Sequence, residues 1–259
     1  MDLQMRGRRA IVCASSRGLG LACAEALLGE GVNVVINGRN DAVLQESADR
    51  LALSYPGKVN AVAGDITTPE GRAALLAACP DADILVNNNA GPDPAPFEKI
   101  SDATWLAGIE ANMLAPLFLV RALLPGMIER RYGRIVSITS AMVTTPRPRM
   151  TLSAGARAGL TAALKGLSLD VARYNVTINN ILPERFDTDR QEFMAQQAMK
   201  RTGCTYEEAR RQQTESIAAK RLGRPEELGA LCAFLCSPLS GYMSGQNLHL
   251  DGGSYPALV

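Results

Sequence analysis

Residues 8–31 read RRAIVCASSRGLGLACAEALLGEG, an apolar run, a glycine turn and a helix in direct succession. RRAIVCA is too short for a helix and runs into turn residues, so it predicts a buried strand. After the turn, Leu19, Cys23, Ala26 and Leu27 share one helical face, and the pattern stops at glycines. CASSRGLG, residues 13–20, therefore joins a strand's carboxyl end to a helix's amino end. In that setting Gly18 and Gly20 let backbone N–H groups approach a phosphate, and the helix terminus adds favourable partial charge.

The same rhythm continues outward. VNVVING, VNAVAGD, DILVNNN, RIVSITS, VTINNIL and QNLHLDG read as six further strands, and the helical patterns between them serve as crossovers. The longest of these, SDATWLAGIEANMLAPLFLVRALLPGMIE, reads as one continuous helix. The fold class is thus α/β, a Rossmann-type doubly wound sheet of seven parallel strands with helices on both faces. A chain of 259 residues that is 47% hydrophobic suits one domain spanning 1–259. One segment breaks the rhythm: residues 189–222 are polar and helical, with a capping box from Thr205 to Glu208. They read as a surface insertion or as a lid over the site.

A net charge of +1 gives no broad positive field, which argues against nucleic acid as the main ligand. No run of eighteen apolar residues is present, and the opening MDLQMRGRR lacks the apolar core of a signal peptide. A cytoplasmic protein that does not enter membranes is expected. The six cysteines form no CxxC pair, and Cys232 and Cys236, one turn apart, read as a buried face. His249 is the only histidine and sits in an apolar strand pattern, so neither a metal site nor a histidine-based triad is expected.

Five motifs together resemble the short-chain dehydrogenase/reductase family. CASSRGLG is similar to its TGxxxGxG loop, with Cys13 and Ala14 where Thr and the first Gly stand; GDIT (64–67), VNNNAGP (86–92), GRIVSITSA (133–141) and the region from RLGRPEEL to HLDGG (221–253) follow in order. The resemblance covers nearly the whole chain and implies NADP(H) as cofactor. It places Ala14, Ser16, Arg17, Gly18, Leu19 and Gly20 along the dinucleotide, Asp65 and Ile66 beside the adenine, and Pro183 and Thr188 near the carboxamide. The asparagine motif fits in two registers, 87–90 or 88–91, and Asn88 holds an asparagine position in both. At the end of the second strand, VVINGRN has Gly38 where an NAD-binding acid would stand, with Arg39 after it and Arg17 nearby in the loop. A missing carboxylate with two cations favours the 2′-phosphate of NADP(H).

The family's catalytic serine and asparagine correspond to Ser140 and Asn112. Its tyrosine and lysine do not reappear: TLSAGARAGL, residues 151–160, carries Ser153 and Arg157 in their places, and the downstream helix keeps register. A tyrosine titrates near pH 10 and a lysine near 10.4, so a close pair can be tuned toward neutrality. Serine is a far weaker acid and arginine stays protonated. Arg157 could still donate from a fixed fork to the nicotinamide ribose or to an anionic substrate. The small residues Ala154, Gly155, Ala156, Ala158 and Gly159 suit a helix–helix or subunit contact. Glu184, Arg185, Asp187, Arg190, Arg147 and Arg149 crowd two loops that border the substrate space in the family, either as a solvated rim or as recognition of acidic substrates.

Three functions follow. The first is an oxidoreductase resembling 3-oxoacyl-acyl-carrier-protein reductases, acting on a small or carrier-bound carbonyl or conjugated carbonyl with a non-standard proton supply. The second is a dinucleotide-binding sensor or inactive member, and the third a lyase or isomerase in the same pocket. The resemblance also implies a homodimer or homotetramer through residues 101–129 and 152–173.

Overall fold

The computed structural model describes residues 1–258, and the architecture is the expected one. Strands β1 (Arg9–Val12), β2 (Asn33–Gly38), β3 (Val59–Ala63), β4 (Ile84–Asn87), β5 (Gly133–Ile138), β6 (Val176–Pro183) and β7 (Asn247–Leu250) form one sheet in the order β3-β2-β1-β4-β5-β6-β7. Every neighbouring pair is parallel. The order reverses between β1 and β4, and in doubly wound sheets the crevice beyond the carboxyl ends of such strands is where ligands bind.

Alternating strand residues feed two helical layers. Ala10, Val12, Val86 and Ile138 point to one face, where they meet α1 (Gly18–Gly29), α2 (Asp41–Ser54) and α9 (Pro225–Cys236) through Leu27, Leu51 and Leu228. Ile11, Leu85 and Ile135 point to the other, against α3 (Pro69–Ala78), α5 (Ala115–Glu129) and α6 (Thr151–Val171) through Leu75, Leu119 and Leu164. The first layer is tight enough that a Cβ on Gly229 of α9 would stand 2.5 Å from the Ala22 carbonyl of α1. Cys232 lies in this seam between the thiols of Cys23 and Cys236, all three fully buried. The buried reading of these cysteines therefore holds, with Cys23 an unexpected third member.

The long crossover differs from the single helix expected. It divides into α4 (Asp102–Ile109), a π turn at Glu110–Leu114 and α5, so one extra residue is accommodated where Asn112 faces inward. By length and apolarity 102–129 could cross a membrane, yet α5 lies on the sheet with Leu119, Val120, Leu123 and Met127 buried. The small residues of α6 serve contacts within the chain: a Cβ on Gly159 would meet the Met113 sulfur at 2.9 Å, and one on Gly155 the Trp105 ring at 3.9 Å. The departing segment forms α7 (Asp189–Thr202) and α8 (Tyr206–Glu215), and the Thr205–Glu208 capping box is present.

Candidate functional site

At the reversal point the loop after β1 turns into α1. Ala14 adopts φ +45° and Gly18 φ +60°. Ala14 thus holds, with a side chain, a conformation glycine takes more easily. A Cβ on Gly20 would fall 2.4 Å from the Ala14 carbonyl and 2.8 Å from the Asn88 amide, so backbone packing alone demands glycine there. Asn88 donates from Nδ2 to that carbonyl at 3.1 Å, which ties the end of β4 to the loop. Asn87 instead lies in the sheet and donates to Ser137 Oγ, while Asn89 donates to the Ala111 carbonyl at the π turn. Of the three asparagines, Asn88 alone is seen reaching the loop.

The amino end of α1 is open: Arg17 at the cap makes no side-chain capping bond, and the first turn holds no acid. Its orphan N–H groups and partial positive charge face the crevice mouth. Arg17 and Arg39 are both exposed. Arg39 stands 4.0 Å from Asp65, whose other oxygen accepts from the Thr67 backbone and hydroxyl. Ser16 packs against Gly38, where a Cβ would approach its side chain to 3.2 Å, and its carbonyl accepts from Ser47. Leu19 is half-buried against the α1 side of the core, and Ile66 is buried in the opposite layer, its carbonyl accepting from Arg72.

Ser140 follows β5, and its hydroxyl accepts from the Met142 N–H at 3.2 Å, capping a short 3-10 turn. Its role as a turn residue is thus real, and its position at the sheet's carboxyl edge is as expected. Asn112 donates to the Gly108 carbonyl at 3.3 Å, and its Oδ1 is buried without a hydrogen-bond partner. An acceptor orphaned this way is unfavourable and suits a bound water. Ser153 and Arg157 lie one turn apart on the buried face of α6, 4% and 8% exposed. Arg157 donates from Nη1 to the carbonyls of Ile138 (2.8 Å) and Thr139 (2.9 Å), and from Nη2 to that of Asn89 (3.0 Å). Burial, and then the nearby charge of Arg190, push its pKa down to about 10, so it stays cationic at neutral pH. Both side chains converge near Gly91: a Cβ there would lie 3.6 Å from Arg157 Nη2 and 3.8 Å from Ser153 Oγ.

The charged rim is mostly paired. The Glu184 side chain is nearly inaccessible, 2.6 Å from Arg147 and 3.4 Å from Arg185. Burial lowers the Arg185 pKa while Glu184 opposes that shift. Asp187 pairs with Arg210 of α8 at 2.5 Å. Neither the solvated nor the recognition reading foresaw these internal pairs; Arg149, exposed at φ +67°, is the member with no ion pair among the described residues. Beyond Pro183 and Thr188, the first turn of α7 spans the crevice mouth. Asp189 accepts from Arg17 at 3.2 Å on one side, and Arg190 donates to Asp93 (3.0 Å) and the Pro92 carbonyl (3.2 Å) on the other. Thr188 approaches Gly18 at the same place, 3.7 Å from a Cβ there. Asp93, Asp189 and the Asn89 carbonyl were not legible as site groups, because pairs 97 and 172 residues apart leave no local pattern.

Comparison with known proteins agrees with this geometry. The family model described as enoyl-(acyl carrier protein) reductase matches residues 13–255. An uncharacterized oxidoreductase of Bacillus subtilis is 32% identical over 263 residues, covering 98% of each chain. The 3-oxoacyl-[acyl-carrier-protein] reductase of Vibrio cholerae is 31% identical over 257 residues, covering 98% of this chain and 99% of its own. Among solved structures, the L-sorbose reductase of Gluconobacter frateurii complexed with NADPH and L-sorbose superposes with a TM-score of 0.95 at 30% identity, over the full length of both chains.

Proposed function

Because the chain belongs to the short-chain dehydrogenase/reductase family, an oxidoreductase family, we propose that it is an NADP(H)-dependent reductase of a carbonyl or conjugated carbonyl compound. The observation that carries this reading is the open amino end of α1 flanked by two exposed cations, with no acid at the end of β2. That donor set fits a pyrophosphate and a 2′-phosphate. Gly18, Leu19 and Gly20 would present backbone N–H groups to the pyrophosphate, with Ala14 and Ser16 shaping the loop. Arg17 and Arg39 would hold the 2′-phosphate, Asp65 and Ile66 would border the adenine, Asn88 would buttress the loop, and Pro183 and Thr188 would meet the carboxamide. When bound, the reduced nicotinamide supplies hydride to the substrate.

At the other end Ser140 would donate to the substrate oxygen and Asn112 would order a water, for which its unpartnered Oδ1 is suited. Arg157, as a fixed cation, would stabilise developing negative charge and hold the β4 and β5 ends in place. The proton would then come from water rather than from α6, since Ser153 is too weak an acid and Arg157 keeps its proton. Residues 189–222 would act as a lid latched by the Arg17–Asp189 and Arg190–Asp93 pairs. The substrate would be a small molecule or a carrier-bound group, as the Vibrio cholerae relative's name indicates for that protein. Exposed Leu106 of α4 and Leu169 of α6 support self-association through those helices.

A second reading, a cofactor-binding sensor or inactive member, is favoured by one observation: Arg157 spends three of its N–H groups on backbone carbonyls. The deciding experiment follows NADPH oxidation over a panel of ketones and enones, with the native protein and with Ser153→Tyr/Arg157→Lys. Turnover by the native protein supports the reductase. Tight NADPH binding with no native turnover, together with ketone reduction by the double variant, supports the sensor instead.

A further inference from the structure

Arg157 is a buried cation whose three acceptors are all neutral carbonyls, and among the described residues it has no ion pair. Burying a guanidinium without a counter-charge is unfavourable, and a neighbouring Arg190 adds to the same potential. Arg190 is offset by Asp93, whereas Arg157 is not. The guanidinium has five N–H groups, so two remain after these bonds, on Nε and Nη2.

Two independent features point to the same place. Ser153 is 4% exposed, its hydroxyl makes no hydrogen bond among the described residues, and it converges with Arg157 Nη2 beside Gly91. The 21-residue helix α6 begins there with no side-chain capping bond from Met150 and no acid in its first turn, which leaves its amino-terminal partial charge open. A buried cation and a free hydroxyl thus converge beside Gly91, within the first two turns of a helix whose amino end has no side-chain cap.

From this convergence we propose that the substrate carries a carboxylate close to its reacting carbonyl, and that Ser153 and Arg157 bind it as an anion site. The proposal rests on the reductase reading and names its substrate class. Arg157 donates to the carbonyls of Ile138 and Thr139, the two residues before Ser140, so an anion held by Arg157 would sit beside that serine. The carboxylate then lies within one or two carbons of the carbonyl, which describes a 2-oxo or 3-oxo acid. Hydride goes to the carbonyl carbon, a proton from water to its oxygen, and the carboxylate is unchanged.

Trp105, the only tryptophan in the sequence, lies 3.9 Å from the Cβ position of Gly155 on α6, so its fluorescence can report occupancy without turnover. NADP+-loaded protein is titrated with acetoacetate, methyl acetoacetate and dihydroxyacetone phosphate. Charge-assisted hydrogen bonds imply that acetoacetate binds roughly ten-fold or more tightly than its ester. Ser153→Ala and Arg157→Gln should each erase most of that ratio; if Arg157→Gln does not fold, the acid-to-ester ratio and Ser153→Ala decide alone. Equal binding of acid and ester overturns the proposal, and stronger binding of the phosphate overturns the carboxylate assignment. Acid-selective binding with no NADPH oxidation on any ketone leaves the anion site standing and fails the reductase reading. Reduction of neutral ketones without acid preference does the reverse.

Discussion

Arg157 Nη2 lies 3.0 Å from the carbonyl oxygen of Asn89, so a side chain from the middle of the sequence fastens helix α6 to the exit of β4. Its Nη1 does the same for the exit of β5. Two opposing terms set what this clamp is worth. The fall in pKa to about 10 from a free guanidinium's ordinary, higher value corresponds to roughly 3 kcal/mol of unfavourable charge burial. Three buried carbonyls stripped of their donor would cost about 1–3 kcal/mol each. At the middle of its range the second term is the larger, so Arg157→Met should destabilise the fold by about 1–4 kcal/mol in urea unfolding. Arg157→Lys, which keeps one cationic donor, should lose less. A Met variant as stable as the native chain would show that water replaces the clamp.

The pH dependence of that clamp has a definite sign. The folded chain loses the Arg157 proton near pH 10 and the unfolded chain only at the higher pH of a free guanidinium, so above about pH 10 the unfolded state binds more protons. The burial penalty is therefore fully present below about pH 10 and is relieved above it. Native stability, relative to Arg157→Met, should be flat from pH 7 to 9 and begin to rise by pH 10.5. Urea midpoints for the two proteins across that range check it; a relative fall would contradict the assignment of burial as the dominant cause.

The glycine loop offers a steric test. A Cβ on Gly20 would meet backbone at 2.4 Å on one side and Ser15 Cα at 2.9 Å on another, and neither can turn aside. Gly20→Ala should thus lower stability by about 2 kcal/mol or more, and it should weaken NADPH binding because the loop must open. Ala14 is the converse case. At φ +45° it carries left-handed strain of about 1–2 kcal/mol, partly matched by the extra chain entropy of glycine, so Ala14→Gly should be neutral or stabilising by up to about 1 kcal/mol. Thermal melts of the two variants should move in opposite directions, or only the first should move.

The contrast between these residues shows how far the sequence alone could be read. The seven strands and their crossovers were legible because a doubly wound sheet writes each buried strand as a short apolar run, and Gly18, Gly20, Asn88 and Ser140 lie at or just beyond the ends of such runs. The break at Glu110–Leu114 was not, since EANML carries no glycine or proline to mark it, and what it accompanies is long-range: Asn112 is buried and the Met113 sulfur lies against Gly159 of α6. Nor was the fate of Arg157, whose acceptors are backbone carbonyls that every residue possesses. Glu184 looked like part of an exposed rim because its neighbours are charged; those same neighbours are what allow it to be buried.

Glu184 yields its own prediction. Its carboxylate is almost inaccessible and meets Arg147 at 2.6 Å, while Arg147 and Arg185 keep partial access to water. Removing one partner of a buried pair costs about 3–5 kcal/mol. Partial exposure of both arginines reduces that, so Glu184→Gln should cost about 1–3 kcal/mol. Arg147→Gln should cost less, because Arg185 remains beside the carboxylate. The two values, and that of the double variant, come from urea titrations; strict additivity would mean that the pair does not interact.

Arg17 carries the last prediction, because it cannot serve Asp189 and a 2′-phosphate equally well. Both partners of the present pair are exposed, at 72% and 76%, so the bond itself is worth only about 0–1 kcal/mol. A dianionic phosphate should outcompete one carboxylate, and the first turn of α7 would then be released from the glycine loop. Asp189→Asn should therefore tighten NADPH binding by up to about five-fold. Arg17→Ala and Arg39→Ala should each weaken it by roughly ten-fold or more. NADH, which lacks the 2′-phosphate, should respond little to Arg39→Ala, and the Asp189→Asn gain should shrink at high salt. Calorimetric titration of both cofactors at two ionic strengths separates these effects. Equal losses for NADH and NADPH in Arg39→Ala would mean that this arginine does not read the phosphate at all.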